Sequence, residues 1–170
     1  MVARCCPNRR LTAVNAAMGA APGQIPMYVS TNASVSSLLA DWEGDVQEVI
    51  RVRVTTFDEE IGRYGLPRFC KIDVEGYEWE VLQGLSRPLP CLSLEYHLNE
   101  KDIHKILNCV DYLVNLGGEL EMNITLGEAM EFCWPNWIGY ESFRDFFPAK
   151  APRTANCGYG DLFVRMRSVE

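Results

Sequence analysis

The chain has no continuous apolar run of membrane-spanning length. No apolar segment follows its arginine-bearing start, so neither a transmembrane helix nor a secretory leader is expected. Its seven cysteines are an odd number without a C-x-x-C pair, and Cys5-Cys6 is adjacent rather than metal-spaced. A disulfide framework is not expected at this length, which points to a reducing, cytoplasmic compartment. There are only two histidines, His97 and His104, and they form no H-E-x-x-H, so a zinc centre is not expected. No G-x-S-x-G elbow supports Ser-His hydrolysis. Positive charge is in deficit, with 16 Lys and Arg against 23 Asp and Glu and a net charge of -7. That balance argues against nucleic acid or an anionic membrane as partner. The only G-x-G, Gly158-Tyr-Gly160, precedes a strand-like run, the wrong context for a nucleotide-binding turn. Repeats, low-complexity tracts and a linker to a second domain are also missing, so one domain is expected in the 170 residues.

What is present centres on Arg68-Phe-Cys-Lys-Ile-Asp-Val-Glu-Gly-Tyr-Glu-Trp-Glu-Val-Leu-Gln-Gly-Leu85. Phe69, Cys70 and Ile72 read as a buried strand. Asp73 and Glu75 lie two apart, so a strand's alternation would point both the same way, with Val74 opposite. Gly76 removes the Cβ where the chain must turn. Glu78 and Glu80 then fall in a first helical turn, where the dipole favours acids. Tyr77, Val81, Leu82 and Leu85 are spaced to bury one helical face. Ligand crevices of open α/β sheets lie outside the carboxyl ends of strands, which predicts Asp73 and Glu75 at such a crevice.

Along the rest of the chain the pattern predicts alternating strands and helices. Leu11 to Asn15 is a short strand, and Ala16 to Gly23 a turn of small residues. Gln24 to Ser30 and Val49 to Thr55 are two strands that pair, with Arg51 and Arg53 on a solvated face. Thr56 and Glu59 fit a capping box over a helix at 57–63, with Asp58 as its early acid. Cys91 to Tyr96 is a second buried strand, with Leu92, Leu94 and Tyr96 on one side and Cys91, Ser93 and Glu95 on the other. Asn99 caps a helix that runs to Gly117-Gly118, its apolar stripe formed by Ile103, Ile106, Leu107, Val110, Leu113 and Val114. Strands follow at Glu119 to Thr125 and Asp161 to Met166. Between them, residues 126–157 form an aromatic-rich insertion that includes Phe132, Trp134, Trp137, Tyr140, Phe143, Phe146 and Phe147. Two readings of it stand side by side: rings packed into the body of the domain, or a lid whose rings stack on an acceptor. The sum is an α/β sheet with helices packed on it.

Lys71-Ile-Asp-Val-Glu-Gly-Tyr-Glu-Trp-Glu-Val-Leu-Gln-Gly-Leu85 closely resembles the signature of FkbM-type methyltransferases. Val52-Arg-Val-Thr-Thr-Phe-Asp58, Leu92-Ser-Leu-Glu-Tyr-His97 and Gly160-Asp-Leu-Phe-Val164 resemble the segments that flank it, in the same order. The resemblance covers roughly residues 11 to 165. It implies a Rossmann-like class I methyltransferase sheet and S-adenosylmethionine as cofactor. It also implies a small-molecule acceptor hydroxyl on a sugar or a polyketide-like natural product. The family's first strands and Gly-rich turn have no counterpart here, so the expectation is an N-terminally truncated domain at 11–170. Residues 1–10 are expected to be disordered or the stub of a lost helix. In related methyltransferases the loop after the third strand lies beside the adenine, which implies Ala16 and Ala17, with Asp73, as cofactor-binding residues. Close packing of small residues in a turn is the competing reading for the two alanines.

Methyl transfer to a hydroxyl needs the acceptor oxygen aligned and dry, and a base for its proton. Asp73, Glu75, Glu95 and His97 are the candidates, all at expected carboxyl ends of adjacent strands. His97 suits neutral pH without tuning, and Asp73 and Glu75 would raise one another's pKa if close. The same acids offer oxygen ligands of the kind magnesium or calcium takes, although no metal site is assigned. Structural roles compete: Glu75 as a helix cap, Lys71 neutralising Asp73, Glu95 bonded to backbone. Without the first strands, an unpaired sheet edge is expected to invite a homo-oligomer or a complementing chain. The alternative to an enzyme is therefore a non-catalytic remnant or half-domain. A metal-dependent hydrolase on Asp73-x-Glu75 ranks below both, since no histidine cluster supports it.

Overall fold

The protein is described by a computed structural model that covers residues 11–32, 36–41, 45–150 and 158–167. The expectations for residues 1–10 and for the end of the aromatic segment, 151–157, lie outside the described residues. The strands form two sheets rather than one.

The smaller sheet has the order β1-β3-β2. A ladder from Gly23↔Val54 to Ser30↔Val46 joins β2 (Gly23–Ser30) and β3 (Val46–Thr55) antiparallel, as expected. The first strand is not at Leu11 to Asn15, which has no regular structure. It forms slightly later as β1 (Ala17–Met18), parallel to Val54 and Thr55 of β3. Gly19 follows directly, and its lack of a Cβ permits the close approach, since a Cβ there would crowd Val54 Cγ1 at 3.1 Å.

Thr56 caps α1 (Phe57–Tyr64) by accepting the Glu59 N–H at 3.2 Å. Only that half of the capping box forms, because the Glu59 carboxylate instead accepts the Thr55 hydroxyl. Phe57 and Ile61 bury the inner face of the helix.

The larger sheet has the order β4-β5-β8-β6-β7. Its members are β4 (Cys70–Ile72), β5 (Cys91–His97), β6 (Leu120–Ile124), β7 (Ile138–Gly139) and β8 (Tyr159–Met166). β4 and β5 are parallel and linked through α2 (Glu78–Leu82), while β8 runs antiparallel between β5 and β6. Among the described residues β4 pairs with β5 alone and forms the edge.

Alternation along these strands gives the sheet two unlike faces. Leu92, Leu94, Tyr96, Met122, Ile124, Leu162 and Val164 are buried in one core with residues of two long helices. These helices are α3 (Glu100–Asn115), which contributes Ile106, Cys109, Val110 and Leu113, and α4 (Tyr140–Lys150), which contributes Phe143 and Phe147. Burying each large side chain contributes about 1.5–3 kcal/mol before entropy is counted. Asn99 caps α3 through the Asp102 N–H, as its sequence predicts. The opposite face carries Lys71, Ser93, Glu95, Asp161, Phe163 and Arg165, aligned by the Lys71↔Ser93, Glu95↔Asp161 and Ser93↔Phe163 pairings.

Gly160 has a structural task. A Cβ there would meet the Thr125 carbonyl at 2.1 Å and the Tyr96 hydroxyl at 2.8 Å. The Gly158-Tyr-Gly160 run therefore serves strand packing, consistent with its poor context for nucleotide binding.

Candidate active site

The site grows from the end of β4. The strand stops at Ile72, earlier than the sequence pattern suggests, so alternation does not set the directions of Asp73 and Glu75. A turn does so instead. Glu75 has φ 51° and Gly76 φ 88°, both left-handed, and the Tyr77 N–H closes the turn on the Val74 carbonyl at 3.3 Å. Gly76 accepts that geometry without cost, whereas a non-glycine residue such as Glu75 adopts it only when its surroundings impose it.

Asp73 and Glu75 both line a cavity of about 960 Å³ between the two sheets. Ala16, Ala17 and Met18 line it from β1 and the residue before it, Arg51 and Arg53 from β3, and Lys71 from β4. Ala16, Ala17 and Asp73, read from the sequence as cofactor-binding, thus share one cavity. Its volume is at the upper end of the range for small-molecule and cofactor pockets.

Glu95 joins the two acids from β5. One carboxylate oxygen from each of Asp73, Glu75 and Glu95 lies within 4.8 Å of the others. Such an oxygen set could hold a divalent cation, but acidic groups cluster in this way without one, and no metal is assigned. Burial pushes the Glu95 carboxyl up to about 8, and the charges of Asp73, Glu75 and Glu78 add to the rise while Lys71 opposes it. Glu95 Oε2 is buried without a hydrogen-bond partner, so the backbone bond anticipated for this residue does not form at that oxygen. Lys71 Nζ sits 3.4 Å from Asp73 and 2.7 Å from Asp161.

His97 does not line the large cavity. It lines a separate pocket of about 10 Å³ with Glu78, Glu95, Asp102 and Lys105, and its ring lies 6.2 Å from that of Tyr159. Glu78 Oε1 accepts the Val74 and Gly76 N–H groups at 3.3 and 3.2 Å. Glu78, Lys105 and Asp161 escaped sequence reasoning as site residues. The signal for Glu78 was an acid on the buried side of a short amphipathic helix. Asp161 gave none, because its partner is 90 positions away.

Two acids beyond one parallel strand face the cavity, a third stands beside them on the neighbouring strand, and the whole is a mixed α/β domain with a ligand crevice at the carboxyl ends of its strands. Residues 3–120 match the model of the Methyltransferase FkbM domain, and the chain belongs to that family. The match ends as β6 begins, so the aromatic segment and β8 lie beyond it. No curated protein and no solved structure matches the chain. Among the described residues no helix is long and apolar enough to cross a membrane.

Proposed function

We propose that this methyltransferase-family protein is an S-adenosylmethionine-dependent O-methyltransferase of Rossmann-like type, acting on a hydroxyl of a sugar or natural-product acceptor. The observation that carries this reading is the Asp73–Glu75–Glu95 cluster, two of whose acids line the large cavity, with the Glu95 carboxyl pushed up to about 8. When bound, the cofactor supplies an electrophilic methyl on a sulfonium. Ala16, Ala17 and Asp73 would hold it, the alanines because their short side chains let a flat group approach the backbone. The Glu95 carboxylate would take the proton that the acceptor hydroxyl gives up on methylation. A base with a pKa near the working pH suits that step. Asp73 and Glu75 orient the acceptor and keep the Glu95 pKa high.

The opposite end of the same sheet face supports the acceptor side of the proposal. Phe163 stacks on Phe69 at 6.4 Å and meets the edge of Phe132 at 5.2 Å, and Phe132 meets Trp137 at 5.2 Å. Phe69 and Phe132 are half exposed. Phe163 is two residues from Asp161, the partner of Glu95, a step of about 7 Å along a strand. A ring or apolar chain laid on this shelf would bring a hydroxyl to Glu95.

Calorimetric titration with S-adenosylmethionine tests the reading, followed by label transfer from its methyl group to a panel of sugars and polyketides. Absence of binding at millimolar cofactor would remove the activity from this chain. A second reading, a half-domain completed by another chain or another copy, is favoured by the edge that β4 forms among the described residues. Sedimentation decides that point, since a well-folded monomer that binds cofactor needs no partner.

A further inference from the structure

The turn that carries Asp73 and Glu75 is held by its main chain, from three sides. Glu78 Oε1 accepts both the Val74 and the Gly76 N–H. The ammonium of Lys105, on α3, donates to the Gly76 carbonyl at 2.5 Å. The Ser37 hydroxyl, from the segment bridged to β2, donates to the Glu75 carbonyl at 2.7 Å. Glu78 is 3% exposed and stands behind the turn, away from the cavity. A carboxylate so buried is costly unless its lone pairs are used. Here one oxygen spans two amides of a turn whose central residue is forced to φ 51°.

We propose that Glu78 is the positioning residue of the site, with Lys105 as its counterpart: together they fix the left-handed turn that presents the Asp73 and Glu75 carboxylates to the cavity. Neither side chain lines the cavity, and both are engaged with the main chain of the turn. They act through the shape of the wall. The arrangement explains how a short helix can follow a strained turn directly. The acid of its first residue reaches back two and four positions and takes N–H groups that strand pairing has left open. Without it, Glu75 would relax toward ordinary backbone angles and its carboxylate would leave the trio. This inference rests on the cavity being the cofactor site.

The test compares Glu78→Ala, Glu78→Gln and Lys105→Met with the full wild-type chain, using calorimetric affinity for S-adenosylmethionine and amide hydrogen exchange. Glu78→Gln keeps an oxygen for the two amides. It is expected to hold cofactor affinity within about threefold, while Glu78→Ala loses tenfold or more. In Glu78→Ala the Val74 and Gly76 amides should exchange at least tenfold faster, with the β5 and β8 amides unchanged. Wild-type affinity in Glu78→Ala, or equal losses in the Gln and Ala variants, would overturn the proposal. If the wild-type chain itself binds no cofactor, the functional reading fails, and exchange at Val74 and Gly76 still decides whether Glu78 fixes the turn. If Glu78→Ala does not fold, Lys105→Met carries the test. Faster exchange confined to residues 74–78 supports the clamp, and wild-type exchange there refutes it.

Discussion

Lys71 of β4 reaches across β5 to Asp161 of β8, placing its ammonium 2.7 Å from one carboxylate oxygen. The same ammonium lies 3.4 Å from Asp73. Burial pulls the Lys71 pKa down, but the hydrogen bond and charge of Asp161, helped by Asp73, more than offset this, and the net shift is upward. Lys71 therefore stays charged and opposes the rise of Glu95. Replacing it with methionine should drive the Glu95 carboxyl above about 8, readable as a ¹³C-carboxyl titration by NMR. An unmoved titration would mean that the cation does not act on Glu95. Lys71 is half exposed, so loss of the pair should cost only about 0.2–1 kcal/mol of stability.

Glu95→Gln separates chemistry from binding. If Glu95 is the base, the variant should lose about 10²–10⁴-fold in methyl transfer while retaining cofactor affinity. Wild-type transfer should rise with pH and level off above about 8, as the carboxyl becomes the carboxylate. A profile flat from pH 6 to 9 would remove Glu95 from the role. The same group also tilts stability. Its folded pKa lies above the unfolded value, so the folded state holds the extra proton between roughly pH 4.3 and 8. Stability should therefore fall as pH rises through that window, and Glu95→Gln should flatten the slope in denaturant titrations. The charges facing this carboxyl, Asp73, Glu75, Glu78 and Lys71, set how steep the wild-type slope is.

Much of this fold is legible in the residues, for identifiable reasons. The apolar stripe of α3 and the alternation of β5 announce themselves because periodicity is a local property. The clustering of Asp73, Glu75 and Glu95 was also anticipated, but for a partly mistaken cause. Strand alternation suggested a shared direction for the first two, whereas a left-handed turn produces it. That turn depends on Glu78, Lys105 and Ser37, whose contacts span 2 to 38 positions and leave no periodic trace. The division into two sheets was hidden likewise. It depends on which strand edges meet in space, and β1 pairs with residues nearly forty positions away.

Gly160 offers a test of packing alone. Adding a methyl would force the Thr125 carbonyl and the Tyr96 hydroxyl from their 2.8 Å hydrogen bond. Backbone cannot yield as a side-chain tip can. Gly160→Ala should therefore destabilise by about 1–3 kcal/mol, the usual range for overpacking, as a lower denaturant midpoint. A variant as stable as wild type would show that β8 can slide away from β5 and β6 at this point.

The aromatic segment should split into two energetic classes. Phe143 and Phe147 are fully buried, stacked at 4.9 Å, and Phe147 also meets Tyr96 edge-on at 5.2 Å. Truncating either to alanine opens a void in the α4 core and should cost about 3–5 kcal/mol. Phe132 is 46% exposed and packs edge-on against rings of the outer face, Trp137 and Phe163. Its removal should cost about 1 kcal/mol, the scale of an edge-to-face pair. If the shelf receives the acceptor, Phe132→Ala should raise the acceptor KM with little change in cofactor affinity or thermal midpoint. A variant that loses stability as heavily as Phe143→Ala would place Phe132 with the core. One that turns over acceptor unchanged would leave the outer rings as a mere cover for the sheet.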